Sequence, residues 1–170
     1  MKPTTNEETR KERLFDIIFI VVLFVITIIV MQFFRVAVVN GHSMDDTLRD
    51  GQHLILATKA YDFSEPERDD IIVATPENLG GEKIIKRVIG TAGDTVTIEN
   101  NIVYINGEEL EEPYLPEPMV TPDMEVNVPD GKIFVMGDNR NDSGDSRSSV
   151  IGLIDIDTEL DGKIVLQLPF

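Results

Sequence analysis

Residues 83–107 read KIIKRVIGTAGDTVTIENNIVYING. Three β-branched runs, 83–89, 95–98 and 102–105, are punctuated by Gly90-Thr-Ala-Gly-Asp94 and Asn100-Asn101, and Asn106-Gly107 ends the last. Short runs of Val, Ile and Thr between Gly and Asn turn signals predict antiparallel strands joined by tight turns. Outward from this stretch the same punctuation recurs at 36–39, 53–57, 70–74, 132–136 and 163–168, with Pro129-Asp130-Gly131 placed where a hairpin should close. Helical periodicity is almost absent beyond residue 35, and no repeat or low-complexity tract occurs, so an all-β fold of antiparallel sheets is expected. Residues 108–125, with Pro113, Pro116, Pro118 and Pro122, read as an extended crossing or a loop.

The other decisive stretch is 14–34, LFDIIFIVVLFVITIIVMQFF, whose strongly polar members, Asp16 and Gln32, lie near its ends. As a helix it would be roughly 31 Å long, the thickness of a bilayer's hydrocarbon core. It is longer than a signal-peptide core and is followed by Gln-Phe-Phe-Arg rather than a small-residue cleavage site, so an uncleaved transmembrane anchor is expected. Lys2, Arg10, Lys11 and Arg13 precede it, which puts the N-terminus in the cytoplasm and the rest outside. The expected organisation is a cytoplasmic tail at 1–13, an anchor at 14–34 and an extracytoplasmic domain at 35–170.

The chain of 170 residues carries 15 Lys+Arg against 31 Asp+Glu, a net charge of -16. Residues 1–35 hold 5 basic and 4 acidic residues, so the acidity lies in the exported part, and a nucleic-acid surface is disfavoured. Cysteine is absent, which removes disulfides, thiolate nucleophiles and thiolate metal sites.

Three segments carry candidate chemistry. In Gly41-His42-Ser43-Met44-Asp45 a serine follows a β run, but Asp45 stands where a hydrolase elbow needs glycine. His42, the immediate neighbour of Ser43, projects to the opposite face of an extended chain, which leaves His53 as the imidazole for any Ser-His-Asp triad. Lys86 sits inside a β-branched run on the face of Ile84 and Val88. Burial there, with Arg87 and Lys83 as neighbouring cations, would disfavour its ammonium and make it a general base. The third segment, Gly137 to Arg147, is dense in short polar side chains. As a calcium loop it would align Asn139, Asn141, Ser143 and Gly144 with ligand positions but put Val150 where a bidentate Glu is required. An ion-paired scaffold of Asp145, Arg147 and Arg140 that holds a hydroxyl such as Ser143 fits better.

Taken in order, the apolar anchor, Gly41-His-Ser-Met-Asp-Asp-Thr-Leu48, Glu67-Arg-Asp-Asp-Ile-Ile-Val73, Lys86-Arg-Val-Ile-Gly-Thr-Ala-Gly-Asp94 and the 137–147 loop closely resemble bacterial type I signal peptidases, of the compact Gram-positive kind. The resemblance implies an all-β fold behind one transmembrane helix. It also implies a membrane-bound serine endopeptidase that removes signal peptides from exported preproteins after a small residue. By the same resemblance Ser43 is the nucleophile, Lys86 the general base and Ser143 the hydroxyl that orients the lysine. Asp138, Arg140, Asp145 and Arg147 match the structural acids and bases, and Val39, Met44, Leu48 and Ile85 line shallow substrate pockets. No cofactor or metal is implied. The expected partners are signal peptides and membrane lipid, with the protein itself monomeric. Asp46 and Ala92 stand where the family usually has proline, and Gly41 where some members carry an oxyanion-binding hydroxyl, which leaves the Ser43 N–H to serve.

Three rivals are weighed against this. A self-cleaving repressor would need a DNA-binding module in place of the anchor, and a sortase-like transpeptidase would need cysteine. A catalytically inactive, membrane-anchored β-domain binding protein would not need both Ser43 and Lys86.

Overall fold

The structure, a computed structural model, describes residues 5–169, so Lys2, one of the leading cations, lies outside the described residues. The chain divides into two compact units, residues 1–34 and 35–170. In the first, helix α1 spans Thr5–Phe33. Its stretch Thr9–Phe33 has a mean hydropathy of 3.2 over its most apolar window, and none of that window is buried. A helix with apolar side chains all round and nothing of its own fold to pack them against is long and apolar enough to cross a membrane. The helix begins earlier than the apolar run, and Phe34, expected at its end, opens the first strand.

The second unit is mostly β, as expected. Strands β1 (Phe34–Val38), β2 (His53–Ala57), β3 (Ile71–Ala74), β4 (Ile84–Gly90), β5 (Thr95–Glu99) and β6 (Ile102–Ile105) follow one another. They are succeeded by β7 (Glu108–Glu109), β8 (Met124–Asn127), β9 (Lys132–Met136), β10 (Ile154–Asp155) and β11 (Leu160–Gln167). A seven-stranded sheet runs β1-β2-β11-β3-β4-β9-β10 and a four-stranded sheet β7-β6-β5-β8. The turns Asn100-Asn101 and Asn106-Gly107 close two-residue hairpins with positive φ at all four positions, the geometry that matches strand twist. Pro129-Asp130-Gly131 closes no hairpin: β8 pairs with β5 and β9 with β4, so this turn passes the chain between sheets. Residues 108–125 are mainly loop, with β7 at one end and β8 beginning at the other.

Period-two alternation explains the core. In β9, Ile133 and Val135 pack with Ile72, Ala74 and Val88, while Phe134 and Met136 face the other way onto Val96, Ile98 and Val103 of the small sheet. Both faces of β9 are therefore buried, and β4 becomes so from Lys86 onward. A third cluster, Val39, Met44, Leu48, Leu54, Leu56, Val73 and Ile164, lies beneath the turn that follows β1. Lys86 thus occurs on a strand that also carries the core residues Val88 and Ile89.

Candidate active site

The turn 43–47 is held from several sides. The Gly41 N–H donates to Asp50 Oδ1 at 2.8 Å and Leu48 N–H to Met44 O at 2.8 Å. The Asn139 N–H donates to Ser43 O at 3.1 Å and its Nδ2 to His42 O at 3.1 Å. On the other side β4 brings Lys86, 3% exposed, so that Nζ lies 2.6 Å from Ser43 Oγ. The Lys86 amine is pushed from its ordinary 10.5 down to about 8 by burial, with Arg147 adding to the effect and Asp145 and Asp138 opposing it.

The cations expected to do this are engaged elsewhere. Lys83 Nζ pairs with Asp161 Oδ2 at 2.7 Å, and Arg87 Nε and Nη2 grip Asp138 at 2.8 and 2.6 Å. Successive strand residues face opposite ways, so the neighbours of Lys86 in sequence are not its neighbours in space.

The 137–147 loop is an ion-paired scaffold. Arg147 forks onto Asp145 at 2.8 and 2.7 Å and donates to Arg140 O, while Asp145 Oδ2 accepts the Gly137 N–H. Arg140 Nε donates to Gly137 O. Its acid, however, is Glu112, which takes both terminal nitrogens of Arg140. Asp138 also accepts from Thr47 Oγ1 at 2.5 Å, which ties this loop to the Ser43 turn. Glu112 had no signal in the sequence beyond being polar, and Thr47, though part of the 41–48 motif, had none for its bond to Asp138, because their partners lie 28 and 91 residues away. Asn139 and Asn141, proposed calcium ligands in one reading, use their amide nitrogens as donors to carbonyl and carboxylate oxygens.

Gly137 is the point of closest approach. A Cβ there would sit 2.2 Å from Ser143 Oγ and 2.4 Å from Ser43 O, so glycine is required by space alone. Ser143 is accordingly packed next to the Ser43 backbone, but its Oγ is buried without a hydrogen-bond partner and does not bond Lys86 in this structure. His42 Nδ1 pairs with Asp45 Oδ2 at 3.0 Å rather than with Ser43, and His53 is exposed on β2 outside the cleft.

A cleft of about 800 Å³ opens over the Ser43–Lys86 pair. Val39, Met44 and Ile85 line it, together with Val36, Leu56 and Val73. Leu48 does not. It is completely buried in the cluster beneath, where it supports the wall rather than forming it. Among the described residues no group of three or more His, Asp or Glu side chains is placed to hold a metal ion.

Known proteins resemble this chain in sequence and fold. Residues 11–168 match the family of signal peptidase, peptidase S26. The chain is 44% identical over 115 residues to a probable signal peptidase I-1 of Synechocystis, a match covering 64% of this chain and 59% of that one. It is 40% identical over 150 residues to the signal peptidase I of Bacillus licheniformis, covering 80% and 78%. A crystal structure of a signal peptidase I from Enterococcus faecalis superimposes with a TM-score of 0.52 at 34% identity, over 60% of this chain and 98% of that one. With nearly the whole length matched by the family, a buried lysine against a serine in an open cleft and an all-β unit behind an apolar helix, the chain belongs to the signal peptidase family, peptidase S26.

Proposed function

We propose that the chain is a membrane-anchored endopeptidase in which Ser43 attacks and Lys86 is the general base. Neutral Lys86 takes the proton of Ser43 Oγ as that oxygen adds to the carbonyl carbon of the scissile amide. The Ser43 N–H stabilises the resulting oxyanion, since the N–H of Gly41 is already bonded to Asp50. The lysine ammonium then returns its proton to the departing amine nitrogen, which leaves an acyl ester on Ser43. A water molecule, deprotonated by the neutral Lys86 amine, adds to that ester, and the ammonium returns the proton to Ser43 Oγ as the ester C–O bond breaks and the acid product leaves. Ser143, whose buried hydroxyl has no partner, is the candidate to orient Nζ, and Asp138, Arg140, Asp145 and Arg147 hold the loop that carries it.

The substrate is the signal peptide of an exported preprotein. β9 meets β4 from Arg87 onward, so the same edge of residues 84–86 is free and borders the cleft. An extended peptide can add to it as a strand and present small side chains to Val39, Met44 and Ile85. The leading cations Arg10, Lys11 and Arg13 favour a cytoplasmic N-terminus, with residues 35–170 on the outer face beside lipid and working as a monomer.

The observation that carries this reading is the 2.6 Å approach of a buried lysine to a serine hydroxyl. Its test is cleavage of a preprotein after a small residue by the purified full chain. Ser43→Ala and Lys86→Ala should each abolish nearly all turnover, and the double variant should lose little more, because residues acting as one unit are not additive. More than about a tenth of the activity surviving in Lys86→Ala would sink the dyad. Replacing His42 and His53 together should leave activity intact.

A further inference from the structure

The loop between β7 and β8 reaches back to the site. Tyr114 lies flat under Arg87, whose guanidinium carbon is 3.9 Å from the ring centroid, and Arg140 approaches the same ring at 6.0 Å. The Tyr114 hydroxyl donates to Glu112 Oε1 at 2.8 Å, and Glu112 holds Arg140. Arg87 in turn forks onto Asp138, which is completely buried and bonded to Thr47 in the Ser43 turn. Two contacts thus separate Tyr114 from a buried carboxylate whose field reaches the Lys86 amine.

We propose that Tyr114 is a positioning residue for the reaction: its ring clamps Arg87 onto Asp138, so that the Asp138 charge is neutralised locally and acts less on Lys86. The inference rests on the reading of Lys86 as the base. A guanidinium over an aromatic face is attracted by the ring's negative quadrupole and shielded by it from water. Without the ring Arg87 hydrates and loosens, and the carboxylate beside it is left less compensated. A less compensated anion favours the lysine ammonium, so the fraction of free base at a given pH falls.

The surrounding charges are few. Lys86 faces Asp145 and Arg147 from the 137–147 loop as well as Asp138. Arg87 faces Asp138, Tyr114 and Asp69, to whose carbonyl it also donates. Tyr114 faces Glu112, Arg140 and Arg87, and its phenol is held neutral well above its ordinary range by burial and by Glu112. Just before β4, Lys83 is paired with Asp161.

The experiment compares wild type, Tyr114→Phe and Tyr114→Leu as detergent-solubilised full chains. Lysine side chains are followed by NMR titration, with the Lys86 signal assigned by its loss in Lys86→Arg, and the pH dependence of peptide cleavage is measured in parallel. Phe keeps the quadrupole and should leave the Lys86 titration in place. Leu should move it to higher pH by about half a unit or more, a roughly threefold lower rate on the acid side. If Leu does not fold, Tyr114→Met takes its place. A folded Leu or Met variant with an unmoved Lys86 titration overturns the proposal, as does a Phe variant that shifts as far as Leu. A titration that moves while the rate profile stays fixed upholds the clamp and removes Lys86 from the role of base, so the two readings fail separately.

Discussion

Lys86 is an ammonium-forming group that the fold keeps out of water, and both its reactivity and its cost follow from that. With its pKa lowered to about 8, the neutral amine that the proposed mechanism requires to accept the Ser43 proton is the minor form below that pH and the major form above it. Cleavage should therefore rise with pH and level off on the alkaline side, and at pH 6 it should be roughly a hundredfold below the plateau. A profile of kcat/KM that stays flat down to pH 5 would point to a different base. The same burial predicts a stability effect with a definite sign. The folded-state pKa lies below the unfolded 10.5, so the unfolded chain binds more protons between about 8 and 10.5, and stability gains from Lys86 as pH rises through that window. Below about 8 the full penalty is present. Lys86→Met, which fills the same space without a charge, should then be more stable than wild type at pH 7 by ~1 to 3 kcal/mol, a margin that narrows above pH 8. Denaturant unfolding of both proteins at pH 7 and pH 10 checks this, and a margin that grows with pH would contradict it.

At the scale of the element, β4 and its two turns decide where the site can be. The turn 91–94 leaves β4 for the small sheet: Asp94 N–H donates to Thr91 O, and its carboxylate accepts from Thr91, Asn106 and Arg68. Gly93 has φ +87°, which makes this a turn with Ala92 at a position that favours proline, and Ala92 is exposed. Ala92→Pro should therefore stabilise the protein by about 0.4 to 1 kcal/mol by restricting the unfolded chain, with activity unchanged. A lowered Tm would mean that the turn needs the Ala92 N–H. Much of this architecture was legible in the sequence, because β-branched runs between Gly and Asn signals are local facts: β2, β6 and β9 fall on the predicted residues and the remaining predicted strands within a few of them. What was not legible is pairing across distance. Strands β7 and β10 are two residues each and have no pattern to detect. Pro129-Asp130-Gly131 has the composition of a hairpin turn whichever strands it joins. Ser43, Lys86 and the loop acids could be picked out by motif, whereas Glu112 as the partner of Arg140 and Arg147 as the cation beside Lys86 depend on how the chain folds back.

For the molecule as a whole, the question is why an acidic domain should be joined to a membrane helix. Beyond residue 35 the chain holds 10 basic and 27 acidic residues, so it would be repelled by an anionic bilayer surface, where the proposed function puts its substrates. The proposed tether would overcome this. Ser43 lies eight positions beyond Arg35, at most roughly 29 Å of extended chain, so in the proposed function the nucleophile stays near the place where a preprotein emerges. Tethering enzyme and substrate in one bilayer raises their effective concentration, worth as much as 10² to 10⁴-fold without any new contact. A chain truncated to begin at Phe34, which keeps β1 whole, should therefore still cut a short soluble peptide in detergent, yet lose much of its efficiency on a membrane-inserted preprotein. The informative quantity is the ratio of the two substrates on the two proteins, since any loss of stability common to both cancels. On vesicles of anionic lipid the truncated protein should also recover part of its rate as salt is raised, because the repulsion is screened within a Debye length of about 10 Å at 0.1 M. The full-length protein, held by its helix, should respond far less. Equal loss on both substrates would mean that residues 1–33 support the site itself, and a truncated protein as efficient as the full chain on membrane substrate would mean that the helix localises the enzyme without adding to its encounter with the preprotein.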